Sequence, residues 1–350
     1  MNLALTEEQH FVRESFASLF ANEAPSARVR EAEAEGGHDP GLWNLLTETG
    51  ALGVGVPEDL GGGGGGLLEL SLIAEEAGRR VAPVPFPETA AAARLLAECG
   101  VGDLLHDVLS GSRIVSLATG SGPVERQLLT DGAVADIVLS LQGDQVVAVH
   151  RPAVVRRVSN MGGLPMARWE TPAEIEILAK GDRSRRRFAA ALDEVRILRA
   201  AALNGLASEA IEIGAAYARQ REAFGIPIGT YQAVAHPLAD ALVAKDGAQL
   251  LTWKACWATT ERLPRASSLA AMAFVFSAES AYTATQHSLH IHGGYGFTVE
   301  CDIQLYYRRA KAWVTTFADP DRELDVVAER TLGPAPGSRR TPARTLAEGA

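Results

Sequence analysis

Three histidines, His287, His290 and His292, crowd one short stretch of the chain and invite a reading as metal ligands. Ligation needs them on one face, and spacings of three and two around a helix do not provide that. We read them as solvated or capping histidines, with no metal centre. Six glycines at 61–66 have the pliancy of a phosphate loop but lack the Lys-Ser/Thr that follows in one, so a flexible surface loop is expected. Cys99, Cys256 and Cys301 are odd in number and widely spaced, which fits reduced thiols better than a disulfide framework. No Ser-His-Asp or Cys-His set has local support. Two segments remain. RQREAFGIPIGTYQAVAHPLAD (219–240) sets the Arg221 guanidinium three residues before Phe224-Gly225, and HIHGGYGFTVECDIQLYYRRAK (290–311) carries Gly293-Gly294 at a helix end. Alone, the first reads equally as a helix C-cap and the second as a turn. Asp193 and Glu194 fall where the first turn of a long helix would favour carboxylates.

The elements that must position these residues divide the chain in three. Residues 1–111 read as helices broken by glycine and proline. Thr6 is an N-cap ahead of an apolar stripe of Phe11, Phe16, Leu19 and Phe20, and a second helix spans 39–49. APVPFPE (82–88) is expected to be non-helical, with a helix from Thr89 to Cys99 after it. Residues 112–182 carry short β-branched runs separated by turn signals, a small β domain. Residues 183–332 return to helical spacing: 188–220, 231–261 with Pro237 inside it, 267 to the glycine cap at Gly293, and 305–316. The tail 333–350 has the composition of a disordered end. The expected fold is α+β, mainly α: a helical domain, a middle β domain and a C-terminal four-helix bundle, with ligands in the cleft between domains.

Bulk properties narrow the partners. A formal net charge of −10 argues against nucleic acid and anionic membranes, which both want a basic face. The acidic, amphipathic start MNLALTEEQHFVRESF is not a signal peptide, and no apolar run is long enough to span a bilayer, so a cytoplasmic location is expected.

Taken together and in order, the 219–240 and 290–311 segments resemble the acyl-CoA dehydrogenase family, whose C-terminal bundle carries R-x-x-F-G, an aromatic-glutamine pair, a G-G-x-G turn and R-[DR]-A-K. PEDLGGGGGG and AEEAGRRVAPVPFPE resemble its N-terminal domain, and the likeness runs from about residue 6 to 330. It implies FAD as cofactor, acyl-CoA as substrate, an electron-transfer flavoprotein as electron acceptor, and a homo- or hetero-oligomer. By the same resemblance Arg221 pairs with the FAD pyrophosphate, and Phe224 and Gln232 line the cofactor. Gly293 and Gly294 admit the adenosine half of an FAD held mainly by a neighbouring subunit, and Arg196 matches an arginine near the acyl-CoA.

The chain departs from that family at four places. The glutamate that removes the thioester α-proton falls, by ungapped count from Gly296, on Phe317, which cannot accept a proton. Some relatives place the base directly before the matched arginine, here Val195. Glu194 is one position, or about 100° of helix, away and serves only if the alignment slips. SLATGSGPVE (116–125) stands where L-T-E-P-x-A-G-S-D packs on flavin, and His290 replaces a glutamine on the adenine side. The HGGYGFT…LYYRRA variant resembles subunits of mixed tetramers in which one chain type supplies the base and the other completes flavin sites. Three readings stay open: a dehydrogenase subunit, a catalytically silent partner completing flavin sites, and a flavoenzyme with different chemistry on a specialised metabolite.

Overall fold

A computed structural model describes residues 4–120, 123–124, 127–169 and 174–333. The expected tail, residue 333 aside, and parts of the 116–125 segment and of the expected β domain near residue 171 lie outside these. Six helices come first: α1 (Glu7–Glu23), α2 (Ser26–Ala34), α3 (Pro40–Glu48), α4 (Leu67–Arg79), α5 (Phe86–Cys99) and α6 (Gly102–Leu109). Thr6 and Gln9 form a reciprocal capping box on α1. Phe16 and Phe20 are buried, but Phe11 is 73% exposed. Nine steps of about 100° set it half a turn away from Phe20, so the apolar stripe is narrower than expected.

Two expectations fail here for local reasons. The segment 82–88 is not wholly extended, because α5 already starts at Phe86 with Pro87 in its first turn, where no intrahelical N–H is lost. The glycine run is built rather than loose: Gly62, Gly63 and Gly64 donate to the carbonyls of Pro57, Gly53 and Val56. A Cβ on Gly62 would stand 2.1 Å from the Val56 carbonyl oxygen, so the close approach of two backbone segments requires glycine there.

The middle of the chain supplies β1 (Val115–Leu117), β2 (Ile137–Gln142), β3 (Gln145–His150), β4 (Val155–Arg157), β5 (Ala167–Trp169) and β6 (Ile175–Lys180). One sheet has the order β1-β2-β3-β6, parallel between β1 and β2 and antiparallel elsewhere, and β4 and β5 form a separate pair. The period of two sorts its side chains. Ile137, Leu139, Val146 and Ala148 join the main helical core, whereas Val138, Val147 and Val149 face a second cluster around Trp169. Both faces of β2 and β3 are therefore covered, which explains the apolar runs at 137–139 and 146–149.

Helices then return: α7 (Asp182–Gln220), a hairpin of β7 (Glu222–Ala223) and β8 (Ile226–Pro227), α8 (Gln232–Thr260), α9 (Ala266–His292), α10 (Ile303–Thr315) and α11 (Pro320–Leu332). The bundle expected to have four helices has a fifth, α11, which packs against α9. Its start is written locally, with the Asp319 side chain capping Asp321 N–H and Pro320 in the first turn. Helix α8 runs through Pro237 in its second turn, where the proline costs one i→i−4 bond, and the helix continues past it. Helices α4 and α7 cross so closely that a Cβ on Gly78 would meet the Ala202 carbonyl at 1.9 Å, and one on Gly205 the Glu75 carbonyl at 1.8 Å. The fold is mainly helical around a small central sheet, and no helix among the described residues is long and apolar enough to cross a membrane.

Candidate active site and cofactor surface

Helix α7 is buried along its middle and carries four charged side chains there, Asp193, Glu194, Arg196 and Arg199, each under 9% exposed. Buried charges persist only when paired. Glu194 accepts both ends of the Arg94 fork, at 2.8 and 2.9 Å, and Arg94 also donates to the Gly55 carbonyl at 2.5 Å. Arg196 donates to both Glu323 oxygens at 2.8 and 2.9 Å and to Asp193 at 3.0 Å. Asp193 in turn accepts from Ser267 and Arg330. Burial works against the charge on Arg94 and Arg196, and their carboxylate partners more than offset it, holding both guanidiniums above the ordinary range.

Phe317 follows α10 by two residues and is 7% exposed. Its ring meets Phe274 edge-on at 5.0 Å, while the guanidinium carbons of Arg196 and Arg199 lie 5.2 and 5.4 Å from its centroid. The position of the expected base thus holds an apolar ring stabilised by two cations.

Arg199, packed over that ring, also sits at the junction of all three parts of the chain. It donates to Glu88 on α5 at 2.5 Å and to the Trp313 carbonyl on α10 at 2.5 Å. Beside it is a cavity of about 60 Å³, lined by Glu88, Asp131, Arg199, Arg309 and apolar groups. Asp131, between β1 and β2, accepts from Ser116 at 2.9 Å. Burial and the neighbouring Glu88 charge push its carboxyl up to about 7, against the pull of Arg199. Arg309 is held by Glu33 at 3.1 Å and by the Gly162 carbonyl, and burial lowers its guanidinium to about 10.

The other candidates gather at the opposite end of α7. Arg221 caps the helix and is exposed, its N–H donating to the Tyr217 carbonyl at 2.8 Å. Phe224 occupies the turn of the β7–β8 hairpin at φ 55° and is 98% exposed. The two-residue hairpin loop needs positive φ at both positions, Gly225 taking φ 82°, so the turn imposes this costly backbone on a bulky side chain. Gln232 opens α8 with its side chain outward. His290, Gly293 and Gly294 line a groove of about 430 Å³ with His287, Phe297 and Tyr307. Gly293 takes φ 59°, and nothing lies within 4 Å of a Cβ placed on either glycine. His292 stacks on Tyr217 at 4.1 Å, His287 bonds the Pro237 carbonyl at 3.1 Å, and His290 is exposed, so the three histidines diverge. The stack ties the α9 end to the last turn of α7, placing groove and hairpin on connected elements.

Sequence comparison accounts for this arrangement. Residues 6–104 match the N-terminal domain of acyl-CoA dehydrogenase and residues 185–319 its C-terminal domain. Acyl-CoA dehydrogenase IpdE2 of Mycolicibacterium smegmatis is 31% identical over 330 residues, 91% of this chain and 97% of that one. The chain belongs to the acyl-CoA dehydrogenase family. Two solved structures agree. The Tcur3481-Tcur3483 steroid ACAD superposes with a TM-score of 0.81 at 29% identity, covering 93% of this chain and 97% of that one. The ChsE4-ChsE5 complex from Mycobacterium tuberculosis gives 0.84 at 26%, covering 96% and 100%.

Acyl-CoA dehydrogenases are FAD-dependent flavin oxidoreductases, and the outer surface of this family member fits that cofactor. A cationic fork at Arg221 suits a pyrophosphate. Phe224, held out at a strained turn, offers a face for stacking, and Gly293-Gly294 leaves backbone open to approach. Sequence reasoning did not foresee the pairing of Glu194 with Arg94, of Arg196 with Glu323, or of Arg199 with Glu88. The available signal was Arg199 itself, a charge on the apolar stripe of a long helix, where burial demands a partner.

Proposed function

We propose that this chain is a subunit of a flavin-dependent acyl-CoA dehydrogenase of mixed composition, completing FAD sites while another chain supplies the base that removes the thioester α-proton. The observation that carries it is Phe317, buried between Phe274, Arg196 and Arg199 at the base's position. Glu194 does not replace that base, because both its oxygens are engaged by Arg94. When bound, FAD supplies the hydride acceptor for the β-carbon. Arg221, Phe224, Gln232, His290, Gly293 and Gly294 would hold it.

Sharing of cofactor between chains follows from length. Arg196 and Arg221 are 25 residues apart on one helix and its cap, about 37 Å at 1.5 Å per residue. One cofactor reaction cannot be centred on both, so Arg221 serves a flavin that reacts in a neighbour. The ChsE4-ChsE5 relative is a complex by its own description, which supports a two-chain assembly. A cytoplasmic location and electron delivery to an electron-transfer flavoprotein complete the proposal.

Native mass spectrometry of the protein isolated from its own cells tests the reading. The expected species is an oligomer containing a second acyl-CoA dehydrogenase chain, with fewer FAD molecules than chains. A homo-oligomer carrying one reducible FAD per chain would contradict it.

A further inference from the structure

The interior beside Phe317 is occupied by charge where a thioester would need room. We propose that the Arg199–Glu88 ion pair, backed by Asp131, is a built-in plug that fills the acyl chamber of this chain, so that its own interior accepts no acyl-CoA. The inference rests on the partner-subunit reading and deepens it: the chain lacks a chamber as well as a base.

The argument is geometric. A base at position 317 would have to face the α-carbon of the acyl group, so the space against that side chain is where the thioester must lie. Here the Arg199 guanidinium carbon stands 5.4 Å from the Phe317 ring centroid. Three acceptors fix it: Glu88 and the Trp313 carbonyl, each at 2.5 Å, and the Thr316 hydroxyl at 3.4 Å. These partners come from α5 and from the end of α10, so moving Arg199 aside breaks contacts to two separate elements.

The space left beside the ion pair itself is small. The cavity next to the pair measures about 60 Å³, whereas small-molecule pockets begin at roughly 300 Å³. Two carboxylates and two guanidiniums reach its wall, namely Glu88, Asp131, Arg199 and Arg309. An acyl chain long enough to need the space held by Arg199 would have to break its pair with Glu88 and leave buried charge uncompensated.

The plug also explains why Phe317 is tolerated. With no thioester to deprotonate, an aromatic ring gives the two arginines a face to pack on, and a carboxylate at the site would compete with Glu88 and Glu323 for them.

The test is the dependence of binding on acyl length. Acetyl-, butyryl- and octanoyl-CoA would be titrated calorimetrically into the FAD-loaded full chain, wild type and Glu88→Ala/Arg199→Ala, with thermal unfolding checked for both. The wild type is expected to show no gain in affinity from two to eight carbons, and the folded double variant a gain of at least tenfold. A tenfold or larger gain in the wild type overturns the plug, and that measurement needs no variant to fold. A folded double variant with no gain overturns it too. Wild-type length dependence without flavin bleaching removes the plug and leaves the partner-subunit reading standing. Bleaching of the isolated chain by any of the three thioesters removes both.

Discussion

Glu194 takes both ends of the Arg94 fork, at 2.8 and 2.9 Å, and so fastens the long helix α7 to α5 in the N-terminal part of the chain. The carboxylate that sequence offered as a substitute base is a structural anchor. Glu194→Gln keeps the shape but leaves Arg94 a buried cation without its counter-charge. The loss should be about 2–4 kcal/mol of stability, measured by chemical denaturation, with flavin content of the folded fraction unchanged. Loss of an activity without loss of stability would return Glu194 to the catalytic candidates.

Asp131 provides the clearest pH signature. Its carboxyl titrates near 7 in the folded chain, raised by burial and by Glu88, and near the ordinary carboxylate value when unfolded. The folded form therefore binds the extra proton. Its contribution to stability is full below about pH 4, declines as pH rises toward 7 and stays lost above it. Asp131→Asn, which mimics the protonated form, should match wild type at pH 4 and exceed it at pH 8 by on the order of 1–3 kcal/mol. A difference between the two that does not vary with pH would contradict this.

The hairpin turn separates cofactor loss from fold loss. Phe224 is almost wholly exposed at positive φ, so Phe224→Ala should change unfolding free energy by less than about 0.5 kcal/mol. Arg221→Ala should be equally mild. Both should lower FAD retained through gel filtration several-fold, read from the flavin absorbance of the protein peak. Full flavin occupancy in either variant would remove that residue from the cofactor surface.

Helix crossing makes a harsher expectation. Gly205→Ala places a methyl 1.8 Å from the Glu75 carbonyl oxygen, with backbone on both sides. Helices α4 and α7 would have to separate, at a cost of more than about 3 kcal/mol, and soluble yield should collapse. A variant with wild-type unfolding would show the crossing to be looser than described.

Much of this architecture was legible in the residues, and the reasons for the remainder are physical. Thr6, Asp39 and Gly293 mark helix ends because caps satisfy backbone groups locally. Arg221, Phe224 and the Gly293-Gly294 turn stood out because their spacing is read along one chain. The partners of Arg199 and Glu194 lie 111 and 100 residues away, and no periodicity reports which distant charge will close a buried pair. Helix α11 escaped notice because it starts on a proline and carries mostly polar residues, its role being to bring Glu323 to Arg196. The absence of a base at 317 was visible in sequence, whereas the ring's placement between two arginines needed the fold.

The most direct measurement is anaerobic addition of octanoyl-CoA to the purified chain reconstituted with FAD, followed by visible absorbance, and then repeated after mixing with its co-purifying second chain. Flavin that stays oxidised in the isolated chain and bleaches only in the mixture is the expected result. Stoichiometric bleaching of the isolated chain would contradict the claim that Phe317 leaves it without a base.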